Sequence, residues 1–145
     1  MTQAASRRAP VQTFALVMGV TYLVIGIAGL AHAGIDGFFS SKETTLIIFP
    51  VNSLHSLVHI ITGLLWLTSS RSPTSAAPVS LGIGVAYSVM TLLGAFGELD
   101  FLAVGGLFDS DNFLHLVTGG LALYFGLSAT QTPSEDEPTS PGISG

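Results

Sequence analysis

Cysteine is absent from the 145 residues, and charge is scarce: 9% of the chain is Asp, Glu, Lys or Arg. Without thiols there are no disulfides, no thiolate metal sites and no cysteine nucleophile. A soluble domain carries about a quarter charged residues. Only four residues are basic, the net charge is −5, and nothing basic is clustered enough to attract nucleic acid. A zinc-protease HEXXH is missing, and no serine, threonine or carboxylate stands in a recognisable nucleophile or acid–base arrangement. Enzymatic function is therefore the least supported class.

The few charges are segregated. None lies between Arg8 and Asp36, Glu43 and Arg71, Arg71 and Glu98, or Asp111 and Glu135. Each gap accommodates the roughly 20 apolar residues that cross a hydrocarbon core. Four transmembrane helices are predicted, near 11–32, 50–69, 78–98 and 112–130. A soluble bundle would need polar outer faces that these segments lack. Arg7, Arg8 and Ala31-His32-Ala33 mimic a secretory signal, but the apolar run exceeds the usual core of about 7–15 residues, so it reads as the first span.

The chain also repeats itself. GVTYLVIGIAG in the first span matches GVAYSVMTLLG in the third, aligning Gly19, Tyr22, Val24 and Gly29 with Gly84, Tyr87, Val89 and Gly94. HIITGLL from His59 matches HLVTGGL from His115, while Asn52-x-Leu54-His55 also matches Asn112-x-Leu114-His115. The two registers differ by one helical turn, so His115 pairs with His55 or with His59. The expected fold is all-α: a four-helix transmembrane bundle of two repeated helical hairpins, related by a pseudo-two-fold axis along the membrane normal. Residues 1–10 form a cytoplasmic N-terminus, 11–130 the membrane domain, and 131–145 an acidic, proline- and serine-containing tail expected to be disordered. Arg7, Arg8 and Arg71 on one side against Lys42 on the other put both termini in the cytoplasm of a cell (inner) membrane.

Within that topology the spans two and four carry histidine and asparagine among apolar neighbours. Asn52 sits at the outer boundary, His55 one turn deeper, and His59 about 10 Å below Asn52. His55 and His59 share a helix face with Asn52, and Asn112 shares one with His115. His32, Asp36, Glu98, Asp100 and Asp111 are expected at the same outer end, as secondary candidates. Small-xxx-small pairs, Ala15 and Gly19, Gly82 and Ala86, and Ala122 and Gly126, predict close helix packing in the inner half. Phe38-Phe39 and the stretch from Phe101 to Phe108 are expected at the headgroup level, Trp66 as an interfacial anchor, and Tyr22 and Tyr87 as packing or belt residues. Pro50 begins the second span or kinks a longer helix starting near Thr45.

Two readings of the cluster follow. In the first, the imidazoles and amides hydrogen-bond between the repeats, with Asn52 and Asn112 capping their helices. The protein is then a non-enzymatic structural or accessory subunit of a membrane complex, or a homo-oligomer. In the second, intramembrane ionisable groups mark a ligand site. His59 and His115, assisted by His55, then hold a divalent metal or haem. Proton handling is a third possibility, opposed by the uncharged inner half.

The stretches NSLHSLVHIITGLLWL and DNFLHLVTGGLAL resemble the signatures of a bacterial family of four-span membrane proteins catalogued as a domain of unknown function. The resemblance covers about 11–130 and rests on N-x-x-H and H-x-x-x-G elements, with Gly63 and Gly119 as the motif glycines. Span one has no comparable signature. The resemblance implies an integral membrane protein and no particular activity.

Overall fold

The computed structural model describes residues 7–35 and 44–131. Asp36, Phe38, Phe39, Lys42, Glu43 and the tail from 132 onward lie outside the described residues. The elements run α1 (Pro10–Ala33), β1 (Thr44–Leu46), β2 (Phe49–Val51), α2 (Ser53–Ser69), α3 (Pro73–Ala95), a single 3-10 turn (Asp100–Leu102) and α4 (Ser110–Thr130). The fold is an all-α four-helix bundle with one small β-ribbon. α1, α3 and α4 are long and apolar enough to cross a membrane. At 17 residues α2 is shorter, about 25 Å, and β2 leads directly into its N-terminus.

Local chemistry sets the boundaries. Pro10 occupies the first turn of α1, where its missing N–H costs nothing, and Gln12 Oε1 accepts the Ala9 N–H at 3.0 Å. Asn52 caps α2 by accepting the His55 N–H at 2.9 Å. Ser72 caps α3 and Pro73 follows it, so this helix starts five residues before the expected Pro78, which is taken inside the first turns. Asp109 caps α4 through the Asp111 N–H at 2.8 Å. Asn112 is therefore the third residue of α4, within its first turn, and is not the cap.

Pro50 neither starts nor kinks a helix. It lies in β2 opposite Thr45, in a two-stranded ribbon that turns at Ile47. Both strands of such a ribbon are edges, where a residue without an N–H is tolerated. The ribbon is tied to α4 by a 2.9 Å bond from the Ser110 hydroxyl to the Ile48 carbonyl.

The main helix contacts pair α1 with α2 and α3 with α4. Glycines set the approach in each pair. A Cβ on Gly63 would stand 2.6 Å from the Leu23 nitrogen and 2.9 Å from the Gly19 oxygen. On Gly84 it would stand 2.9 Å from the Leu123 nitrogen, and on Gly119 3.3 Å from the Gly84 oxygen. The same contacts resolve the register of the repeat. Gly19 meets Gly63 and Leu67, while Gly84 meets Gly119 and Leu123; Gly29 meets the Ser56 hydroxyl, while Gly94 meets the Asn112 side-chain oxygen. One displacement along the second helix of each pair satisfies all of these. Under it His115 is the counterpart of His59, and Asp111 is the counterpart of His55.

Three further expectations need correction. Gly82 and Ala86 are exposed, and a Cβ on Gly82 would meet nothing within 4 Å; Gly84, two residues on, faces α4 instead. Trp66 is 0% exposed rather than an interfacial anchor, its indole donating to the Ser80 hydroxyl at 3.3 Å and packing on Phe14 and Tyr22. The segment after α3 only partly faces outward: Leu99, Leu102 and Val104 fold under, against Leu54, Val58 and Met90, while Phe101, Leu107 and Phe108 stay exposed. Apolar side chains in a short connection gain more by covering the bundle end than by remaining outside.

Gly63→Val should lower stability by about 1–3 kcal/mol, since backbone stands where the new side chain must go. Gly82→Val should change it by less than about 0.5 kcal/mol, as expected of an open surface position. Thermal unfolding of the two purified variants in detergent checks the contrast.

Candidate metal centre

α2 places His55 and His59 one turn apart on its buried face, and α4 brings His115 to meet them. The three imidazoles are 1%, 2% and 0% exposed. His55 Nε2 and His59 Nε2 are 3.1 Å apart, and one nitrogen from each of the three rings lies within 4.8 Å of the others. No other group of three potential ligand residues comes this close among the described residues.

Asp111 stands on the far side of His55. Its Oδ2 is 3.3 Å from His55 Nδ1, and it too is 1% exposed. The separation is within ion-pair reach, but the angle leaves neither atom with a hydrogen bond. A small rotation of either side chain aligns the pair.

Two tyrosines complete the walls. Tyr22 and Tyr87, counterparts in the repeat, stand 5.7 Å apart, and each lies 4.9 Å from the histidine of its own hairpin, Tyr22 on His59 and Tyr87 on His115. The Tyr22 hydroxyl donates to Thr118 Oγ1 at 2.9 Å and so ties α1 to α4. The Tyr87 hydroxyl approaches Thr62, the counterpart of Thr118, without hydrogen-bond geometry. Both tyrosines are 2% exposed and belong to the buried core, so they are packing residues and not belt residues.

Buried polar atoms without partners converge here. They are Nδ1 of His55, both ring nitrogens of His115, the Tyr87 hydroxyl, Asp111 Oδ2 and Asn112 Oδ1. Leaving a buried polar group unpaired costs about 1–3 kcal/mol. Such groups are rare and call for an explanation, an ion or ordered water among them. The only hydrogen bond between histidines lies within α2 and does not join the repeats. Polar ties between the two halves are made elsewhere: Tyr22 to Thr118 and Asn52 Nδ2 to the Phe101 carbonyl, both at 2.9 Å, with Trp66 to Ser80 and Ser110 to the Ile48 carbonyl.

The remaining candidates fall elsewhere. His32, Glu98 and Asp100 are exposed, and Asp36 lies outside the described residues. Asn52 is buried as a cap, and Asn112 is buried beside Gly94. Toward the end of the bundle that carries Arg71 come Thr62, Thr118 and then the apolar core around Trp66, Phe14, Ala15 and Ala122, with no charged side chain or further histidine in that stretch among the described residues. Above the histidines Leu99, Leu102 and Val104 close the top. A narrow cleft of about 80 Å³, lined by Ile25, Leu46, Ile47, Phe49, Val51 and Leu114, reaches His59 and Asp111 from the side.

The donor set suits a metal ion and not haem. In a tetrahedral zinc site, metal–nitrogen bonds of about 2.0–2.1 Å put ligand nitrogens roughly 3.3 Å apart. The His55–His59 separation of 3.1 Å is close to that, and a modest shift of His115 closes the set. A porphyrin between His59 and His115 would need the space that His55, Tyr22 and Tyr87 occupy, with His55 ring-to-ring distances of 4.4 and 5.8 Å to the two histidines.

A family model covering residues 12–128 matches the chain. The protein belongs to the family described as Domain of unknown function (DUF4383). The matched span of this DUF4383 protein includes all three histidines, Asp111 and both tyrosines. No curated protein and no solved structure matches it significantly.

Tyr22→Phe should lower stability by about 1 kcal/mol through loss of the Thr118 bond. Tyr87→Phe, which removes an unpartnered hydroxyl, should cost nothing or stabilise. Unfolding of both variants in the same detergent compares them, and equal losses would contradict the assignment.

Proposed function

We propose that this protein is a metal-binding integral membrane protein in which His55, His59 and His115 hold one divalent transition-metal ion. A single observation carries the reading: three buried imidazoles offer nitrogens within 4.8 Å of one another, and neither nitrogen of His115 has any other partner. An all-nitrogen set without thiolate suits zinc or copper. His55 binds through Nε2 with its Nδ1 proton directed at Asp111, the carboxylate–histidine arrangement that fixes tautomer and ring orientation. The fourth position opens toward the lateral cleft, so the site binds from the side of the bundle and not through a channel along its axis. Binding, not catalysis, is the function assigned.

The orientation proposed with it places Arg7, Arg8 and Arg71 in the cytoplasm and the metal site in the outer half of the inner membrane, as positive residues inside favour. A second reading, an accessory subunit docked on another membrane protein, draws support from the outer rim, where Ile47 is 88% and Phe108 97% exposed. A photo-crosslinker at Phe108 should then capture one discrete protein partner in membranes, and lipid adducts alone would count against it.

Chelator-stripped protein should take up about one zinc or copper ion per chain, measured by elemental analysis after desalting. His59→Leu and His115→Leu should abolish uptake yet remain folded, because each replaces a buried imidazole with an apolar side chain. Asp111→Asn should weaken affinity about 10–100-fold. Binding should fade as the pH is lowered, since only neutral imidazole ligates. A metal-free preparation that takes up no ion at neutral pH sinks the proposal.

A further inference from the structure

Opposite the histidines, three of the four basic residues of the chain converge on one place. Arg7, Arg8 and Arg71 line a cleft of about 400 Å³ with Gln12 and Ser70, over a floor of Leu16 and Leu67. The convergence is built rather than incidental. Gln12 accepts the Ala9 N–H through Oε1 and donates through Nε2 to the Ser70 carbonyl at 3.1 Å, which clamps the start of α1 to the end of α2 and brings Arg7 and Arg8 beside Arg71.

No carboxylate answers these charges among the described residues. Glu98, Asp100, Asp109 and Asp111 all belong to the α3–α4 connection or the start of α4, at the other end of the bundle. The first turns of α1 and α3, whose positive dipole ends also point this way, contain no acid. A concave site with uncompensated guanidinium groups at its mouth and leucines toward the bundle matches one chemistry: a phosphate joined to an apolar tail.

We propose that Arg7, Arg8 and Arg71 bind the phosphate headgroup of an anionic phospholipid, with Leu16 and Leu67 receiving the start of its acyl chains. Guanidinium groups fork onto phosphate oxygens in two-point hydrogen bonds, and a lysine could not reproduce that geometry. Basic pockets between membrane helices on the cytoplasmic side hold lipid headgroups in this way. The site is separate from the histidine cluster and independent of any metal there.

The test uses the full chain in detergent, with native mass spectrometry and thermal unfolding as readouts and phosphatidylglycerol, phosphatidylcholine or inorganic phosphate as probes. Phosphatidylglycerol should be retained in preference to phosphatidylcholine and should raise the unfolding midpoint. Arg8→Gln and Arg71→Gln should each weaken that preference about fivefold, the scale of one basic residue at a lipid surface. Unfolding without lipid should stay close to that of the parent chain for Arg8→Gln, which breaks no contact of the Gln12 clamp. Equal retention of the two lipids, or unchanged preference in both variants, overturns the proposal. An equal shift by inorganic phosphate alone overturns it in favour of a free-anion site. If binding emerges only when Glu135, Asp136 and Glu137 are replaced together by Gln, Asn and Gln, the acidic tail is the occupant and the lipid is not.

Discussion

Backbone-to-backbone contact at glycine is the constraint on which this bundle depends. Where Gly19 faces Gly63 and Gly84 faces Gly119, two helices approach until main-chain atoms meet, and no side chain fits between. Lipid offers little hydrophobic drive for helices to associate, so such approach supplies dispersion contact that larger residues would forfeit. Once the glycines settle the depth and rotation of each helix, the residues one turn further out have no choice of direction. His59 lies four residues from Gly63 and His115 four from Gly119, so both rings are turned inward by the same contact. Tyr22 and Tyr87, three residues from their own glycines, close the space from the opposite helices.

The polar centre is thus a consequence of packing below it and covering above it. Trp66, Phe14 and the alanines pack an apolar core on one side of the histidines, and Leu99, Leu102 and Val104 cover the other. In so dry a setting each unpaired nitrogen matters more than it would near solvent. The conjunction of three imidazoles, a carboxylate and a free phenol is therefore costly, and an ion held there as proposed would answer several of those unmet demands together. In the proposed metal site the carboxylate would act from behind His55, fixing its tautomer, and not among the first contacts.

Much of this was legible in the residues. Charge-free gaps marked the helices, the GVTY and GVAY repeats marked the hairpins, and the spacing of His55, His59 and His115 marked the cluster. The failures have physical causes. Periodicity cannot tell which small residues of an apolar helix meet a neighbour, so Gly82 and Ala86 drew attention that belonged to Gly84. Trp66 was read by its preference for interfaces, a tendency that a hydroxyl partner such as Ser80 overrides. Pro50 suggested a helix start, since a three-residue strand leaves almost no trace in sequence. The two tyrosines had identical spacing from their glycines in both repeats, and that regularity was the signal that could have placed them at the centre. Asp111 was named only as a secondary candidate beside the other acids of its loop, because its counterpart in the other half is not an acid but His55.

That mismatch has a consequence of its own. Two identical hairpins assembling as separate chains would present every group twice, giving four imidazoles or two imidazoles and two carboxylates at these levels. Joining the halves in one polypeptide frees one position to be a base and its mate to be an acid, so covalent linkage is what allows the core to be lopsided.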